Sequence, residues 1–254
     1  MTNKEIDALI EGIYEGSITA YVIPESLYYM IARRLLDGLY DGYGATMATV
    51  ELVDEAMLTA LRTNVFQFSA AKSYQQLQVM SEKLAETGVF SEFKKEAKQV
   101  FETYNKTWLK TEYDTAIGQA QNIVKWQEIE KTKDILPYLR YSAIIDPNTS
   151  EICRPLDGIV AKVDDPIWQK IAPLNHFNCR CLLLQEFDAV ESPERQEVAD
   201  MVEKDMQPLF KHNPYYTKQI FDKDHPYFQV PGEDKEFART NFGLPIPKND
   251  NFAE

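Results

Sequence analysis

The sequence predicts an α+β fold with a largely helical N-terminal region containing a long helix, a small β-containing Cys/His module, and an extended C-terminal tail. Three observations lead there. Apolar residues recur at helical spacing as far as residue 134. After Pro137 the pattern shortens to β-like runs. All three cysteines lie between residues 153 and 181. The expected division is therefore 1–134, 135–187 and 188–254.

The helical region can be followed element by element. Ile6, Leu9, Ile10 and Ile13 share one helix face, and the run stops near Gly16. Pro24 stands where a first-turn proline belongs. Leu27, Met30, Ile31, Leu35 and Leu39 form the next stripe, closed by Gly42-Tyr43-Gly44. Val50–Leu61 predicts a third helix, and Tyr74–Ala85 a fourth that ends at Gly88. Ser91 is a candidate cap for the longest element. From Glu92 to Lys133 there is no proline and a single glycine, Gly118. Unbroken, that helix would span roughly 60 Å at ~1.5 Å per residue, which suits an arm or a docking surface.

Three short β runs follow, at Leu139–Ile145, Gly158–Val163 and Cys181–Phe187. The turn Asp146-Pro-Asn-Thr-Ser150 follows the first run, and a short helix starts within Asp164–Trp168. Ser192-Pro193-Glu194 predicts another helix reaching about Asp205. From Gln207 onward, recurring prolines and aromatics predict an extended tail that packs across a surface. Its removal is expected to leave a folded protein that no longer docks.

A hydrophobic content of 44% with 12% aromatics predicts a folded chain. The net charge of −13 opposes a general nucleic-acid-binding face, although a local patch could still touch DNA. Met1–Asp7 lacks a basic region leading into an apolar stretch, so no secretory signal is expected. No apolar run approaches the ~18 residues of a membrane span, and Tyr21–Met30 is interrupted by Pro24 and Glu25. The chain is thus expected to be soluble and made in a cytoplasm. Three cysteines, an odd number in a reducing compartment, do not form a disulfide framework.

Cys153, His176, Cys179 and Cys181 supply four zinc-type donors within a short span. His176-x2-Cys179 suits a one-turn ligand pair, and Cys153 supplies a distant cross-link. The opposing reading is that these are buried thiols acting as small hydrophobes. In a regular strand, Cys179 and Cys181 would point to opposite faces. Spacing alone supports both readings equally. Asp157-Gly158 is expected to turn the chain between strands, and Asn178 and Arg180 to orient the loop.

These residues resemble the Mu F-like phage head morphogenesis (minor head protein) family. That family typically shows Cys-x2-Cys-x2-Leu-Asp-Gly, then Pro-x-His-x-Asn-Cys-Arg-Cys. This chain has Cys153-x2-Leu156-Asp157-Gly158 and His176-x-Asn178-Cys179-Arg180-Cys181. Asp165-Pro166-x-Trp168 and Thr111-Glu112 also look like the family. The similarity is close from Tyr138 to Phe187 and extends upstream in layout. Ser150 occupies the position of the family's first cysteine, so the Cys-x2-Cys knuckle is absent.

The resemblance implies a non-enzymatic virion component that acts in head assembly or genome delivery. Its expected place is the capsid interior or portal vertex, and its expected partners are the portal protein or the major capsid protein. One alternative is a metal-dependent nuclease, since Asn175-His176-x-Asn178 is similar to an HNH-type site. The other two histidines, His212 and His225, lie far off in the tail. A second alternative is a cytoplasmic zinc-knuckle adaptor. No Gly-rich phosphate loop or recognisable Ser/His/Asp set occurs.

Overall fold

A computed structural model describes residues 1–44 and 54–248. The chain divides into two compact units. Unit 1 comprises Met1–Gly38, Val53–Tyr113 and His225–Glu254; unit 2 comprises Leu39–Leu52 and Asp114–Asp224. The division thus falls inside the long helix, not near Asp134, and unit 1 is completed by the end of the chain.

Unit 1 begins with α1 (Asn3–Tyr14), started by a capping box in which Thr2 and Glu5 bond reciprocally. It buries Leu9, Ile10 and Ile13. α2 (Glu25–Tyr43) follows Pro24 as expected, and Gly44 beyond it takes a φ of 69°. α3 (Glu55–Thr87) is a single helix of 33 residues where two were expected. Asp54 caps its N-terminus, and left-handed Gly88 ends it. The first part of the expected third helix, residues 50–53, lies outside the described residues. No glycine or proline breaks the middle of α3, and that stretch is buried nearly all round: Val65, Phe66, Phe68, Ser69, Ala70, Ala71, Lys72, Ser73 and Tyr74. Full burial removes the amphipathic stripe by which a helix is read.

α4 (Phe90–Glu102) starts one residue before Ser91, so Ser91 is not its cap; Val89 is, and it makes no side-chain bond. A π-helical turn, Thr103–Trp108, leads into α5 (Leu109–Thr132). The long element is thus real, with one irregular turn. It is not a bare arm, since Phe93, Ala97 and Phe101 are buried in unit 1 and Ala116, Ala120, Ile123 and Ile129 in unit 2.

The C-terminal segment of unit 1 is no extended tail. It forms short helical turns strapped along α3. Gln75 donates to the carbonyls of Tyr227 and Gln229, Tyr74 bonds Asp234, and Phe242 stacks on Tyr74 at 4.8 Å. The Tyr28 hydroxyl donates to the Pro245 carbonyl. At the strap's start, fully buried Lys72 meets Glu112 at 2.7 Å, with the Tyr227 hydroxyl 3.4 Å away. The rings of Tyr104 and Tyr227 flank the ammonium at 5.4 and 5.0 Å. Burial lowers the Lys72 pKa and raises that of Glu112, and each partner opposes the other's shift.

Unit 2 holds an antiparallel sheet in the order β2-β1-β3: β1 (Tyr138–Ser142), β2 (Val160–Lys162) and β3 (Leu182–Glu186). All three expected runs are strands. Leu139 faces Ala161 on one side and Gln185 on the other. Arg140 clamps Glu186 bidentately across the β1–β3 pair. α6 (Trp168–Ile171) and α7 (Arg195–Asp205) complete the core around Trp168, whose indole donates to the Lys162 carbonyl. Phe210 and Phe221, in the expected tail, are also buried.

The strap's burial reverses the expected outcome of its removal: truncation after Gln207 leaves little folded protein, which solubility and circular dichroism will show. Lys72→Ala strands Glu112 in the interior and costs about 3–5 kcal/mol in chemical denaturation, whereas Lys72→Met with Glu112→Leu restores most of that loss. Burial and the neighbouring Lys72 charge hold the His225 imidazole down at about 4. Its neutral form therefore contributes stability that is complete above pH ~6.5 and lost as pH falls toward 4, up to about 3 kcal/mol. His225→Gln flattens this slope in urea titrations, leaving the part due to His212, which burial also lowers.

Candidate metal centre

The site is assembled from the two ends of the β1–β3 connection. After β1, Asp146 and Thr149 close the expected turn: the Asp146 carboxylate accepts from the Asn148 N–H, and the Thr149 hydroxyl accepts from the Asp146 N–H. The chain then delivers Cys153, whose N–H is met by both the hydroxyl and the carbonyl of Ser150. Ser150 thus shapes the turn from the position where the resembled family has a cysteine. The short helix Arg154–Leu156 follows, and Asp157-Gly158 turns the chain into β2. Gly158 has a φ of 81°, which glycine adopts without strain, and the Asp157 carboxylate accepts from the Ala143 N–H.

The other end arrives through a loop seated on α5. A side chain at Gly118 would collide with Leu174, and Asn122 donates to the Pro173 carbonyl at 2.6 Å. Asn178 then takes a left-handed φ of 60°, which asparagine tolerates better than most residues. Cys179 and Cys181 both precede β3 and are not bound by strand alternation. They can therefore face the same side.

The result is a compact group. The sulfurs of Cys153, Cys179 and Cys181 all lie within 4.8 Å of one another, with Cys153 and Cys179 at 3.7 Å. Cys153 and Cys181 are buried and Cys179 is half-buried. His176 does not join that group of three, but its ring interacts with Cys153 and Cys179. One ring nitrogen, Nδ1, engages the Phe177 carbonyl at 2.7 Å. That bond leaves Nε2 available as a donor atom, the orientation typical of a metal-bound imidazole. A cavity of about 20 Å³ is lined by Ser150, Cys153, His176 and Cys181, among others. Three soft thiols at this spacing suit a soft or borderline ion, with His176 beside them but outside the group of three.

The electrostatics agree with shared protons. Hydrogen bonding from Cys179 and then Cys181 pushes the Cys153 thiol far down, while contacts with Cys153 and Cys179 push Cys181 up. Interaction with Cys153 and then Cys179 raises the His176 imidazole to about 10.

Two supporting residues escaped the sequence reading. The buried Tyr141 hydroxyl donates to the Cys153 sulfur at 3.5 Å, and Asn175 Nδ2 donates in turn to that hydroxyl at 3.0 Å. Tyr141 is one aromatic among several in a β run. Asn175 adjoins His176, and that adjacency was the available signal. Arg180 orients the loop through a carboxylate. Its guanidinium grips Asp146 with two 2.8 Å bonds and holds that carboxyl down at about 2.

Residues 77–184 match the family described as Phage Mu protein F like protein. Among curated proteins, the chain is 34% identical over 76 residues to the Mu-like prophage FluMu F protein of Haemophilus influenzae, covering 30% of this chain and 17% of that one. It is 33% identical over 73 residues to the putative capsid assembly protein F of Escherichia phage Mu, covering 29% and 17%. Each match thus spans about a sixth of the curated relative's length. No solved structure matches. The matched family span runs from α3 to β3 and contains Cys153, His176, Cys179 and Cys181. Across that span, from helix to thiol-centred sheet, the chain carries a phage Mu F-like segment.

Proposed function

We propose that the chain is a phage minor head protein, a structural virion component acting in head assembly or genome delivery at the portal or capsid interior. The observation that carries this reading is the Mu F-like match, which ends on the strand that closes the thiol cluster. A relative in phage Mu bears the name putative capsid assembly protein F. The acidic balance of the chain favours protein partners, such as portal or major capsid subunits, over packaged DNA.

In the same proposal, Cys153, His176, Cys179 and Cys181 hold one zinc ion as a staple. Three thiols and an imidazole fill a tetrahedral shell, as structural sites do, whereas catalytic sites keep a position open. The ion would tie the turn at Ser150–Cys153 to the start of β3. The tyrosine–asparagine relay beneath Cys153 would then act as its hydrogen-bonded support.

The following measurements test these statements. Purified protein contains about one zinc per chain by elemental analysis, Cys179→Ser lowers that content, and chelation reduces thermal stability; metal-free protein of unchanged stability would remove the staple. Purified virions digested externally with protease retain the chain, and its absence from them would remove the head assignment. A nuclease would instead cleave DNA with divalent metal and lose that cleavage on His176→Ala.

A further inference from the structure

The two edges of the sheet in unit 2 are finished differently. The outer edge of β2 is closed by Ser192: its hydroxyl accepts from the Val160 N–H, and its own N–H donates to the Val160 carbonyl. Among the described residues, the outer edge of β3 has no such cover. Among the described residues, none hydrogen-bonds to the backbone of that edge. It also lacks the proline or lysine that commonly blunts an exposed edge. Leu182 and Leu184 are 60% and 46% exposed.

A cavity of about 550 Å³ runs beside this edge, walled by α5 through Gly118, Asn122 and Trp126. Leu182, Leu183 and Leu184 all line it. Successive strand side chains point to opposite faces, so a cavity touching three in a row follows the strand's edge and not one face. Among the described residues, its only charged lining residues are Lys125 and Arg180. Arg180 is held by Asp146, whereas among the described residues Lys125 makes a loose 3.6 Å contact with Glu128. In a chain of charge −13 this is a locally cationic groove.

We propose that an extended, acidic segment of a partner protein docks here as a fourth strand on the outer edge of β3, with apolar side chains in the cavity and a carboxylate at Lys125. Backbone pairing would supply affinity, while the leucine-lined cavity and the lysine would supply selectivity. A second copy of this chain is disfavoured by like net charge. The cluster of Cys179 and Cys181, which borders the same cavity, fixes the start of the docking strand. This inference goes beyond the head assignment and does not depend on it.

The test is hydrogen exchange on the full chain with three acetylated ten-residue peptides. One alternates valine and glutamate, the second alternates valine and lysine, and the third is the glutamate peptide N-methylated at every second residue. The glutamate peptide is expected to slow exchange of alternate amides in Leu182–Glu186. It should bind about tenfold tighter than the lysine peptide, while N-methylation abolishes the effect and Lys125→Glu reverses the charge preference. The proposal fails if no peptide protects these amides, or if both charges protect them equally. It also fails if the free chain already protects this edge through one of its own segments, or if protection grows with protein concentration alone.

Discussion

Three sulfurs within 4.8 Å of one another, drawn from positions 153, 179 and 181, are the constraint on which unit 2 is built. Their convergence requires the turn at Asp146–Ser150, the left-handed residue at Asn178 and the seating of Leu174 on Gly118. Each of these is a local backbone decision that the sulfurs alone would not enforce. The Arg180–Asp146 clamp joins the two approaching segments outside the cluster, and Tyr141 joins them beneath it. β3 begins directly after Cys181, so the position of the edge strand follows from the same geometry.

Unit 1 rests on a different kind of interaction. Its longest helix carries Ser69, Lys72, Ser73 and Gln76 into the interior. The serines satisfy themselves by bonding carbonyls one turn back, at Val65 and Ser69. Gln76 accepts from Asn105 on the π-helical turn, and Lys72 reaches Glu112 just beyond it. The irregular turn thus lies opposite the polar interior of α3, where extra backbone freedom accommodates polar partners.

Much of this was readable from residue order. The first two helices, the long helix and all three strands have apolar periods or flanking turn residues that declare them. The clustering of Cys153, Cys179 and Cys181 was also visible in the sequence, and the structure brings these three sulfurs together. The fusion of two expected helices into α3 was hidden because its buried serines, lysine and glutamine look like solvent-facing positions. The strap was hidden because scattered prolines and aromatics describe short packed turns and a loose tail equally well. Tyr141 and Asn175 were hidden because their roles arise only when distant segments meet.

The strap has a consequence for synthesis. Unit 1 is discontinuous: its helices precede Asp114–Asp224 of unit 2, and the residues from His225 that cover α3 follow it. The long central stretch of unit 2, Asp114–Asp224, leaves the ribosome while the strap's seat on α3, including Tyr74 and Gln75, still lacks its cover. Contacts of such long sequence separation close slowly and leave apolar surface open in the interval. The nascent chain therefore passes through a stage in which Asp114–Asp224 has been made while α3 still lacks its strap.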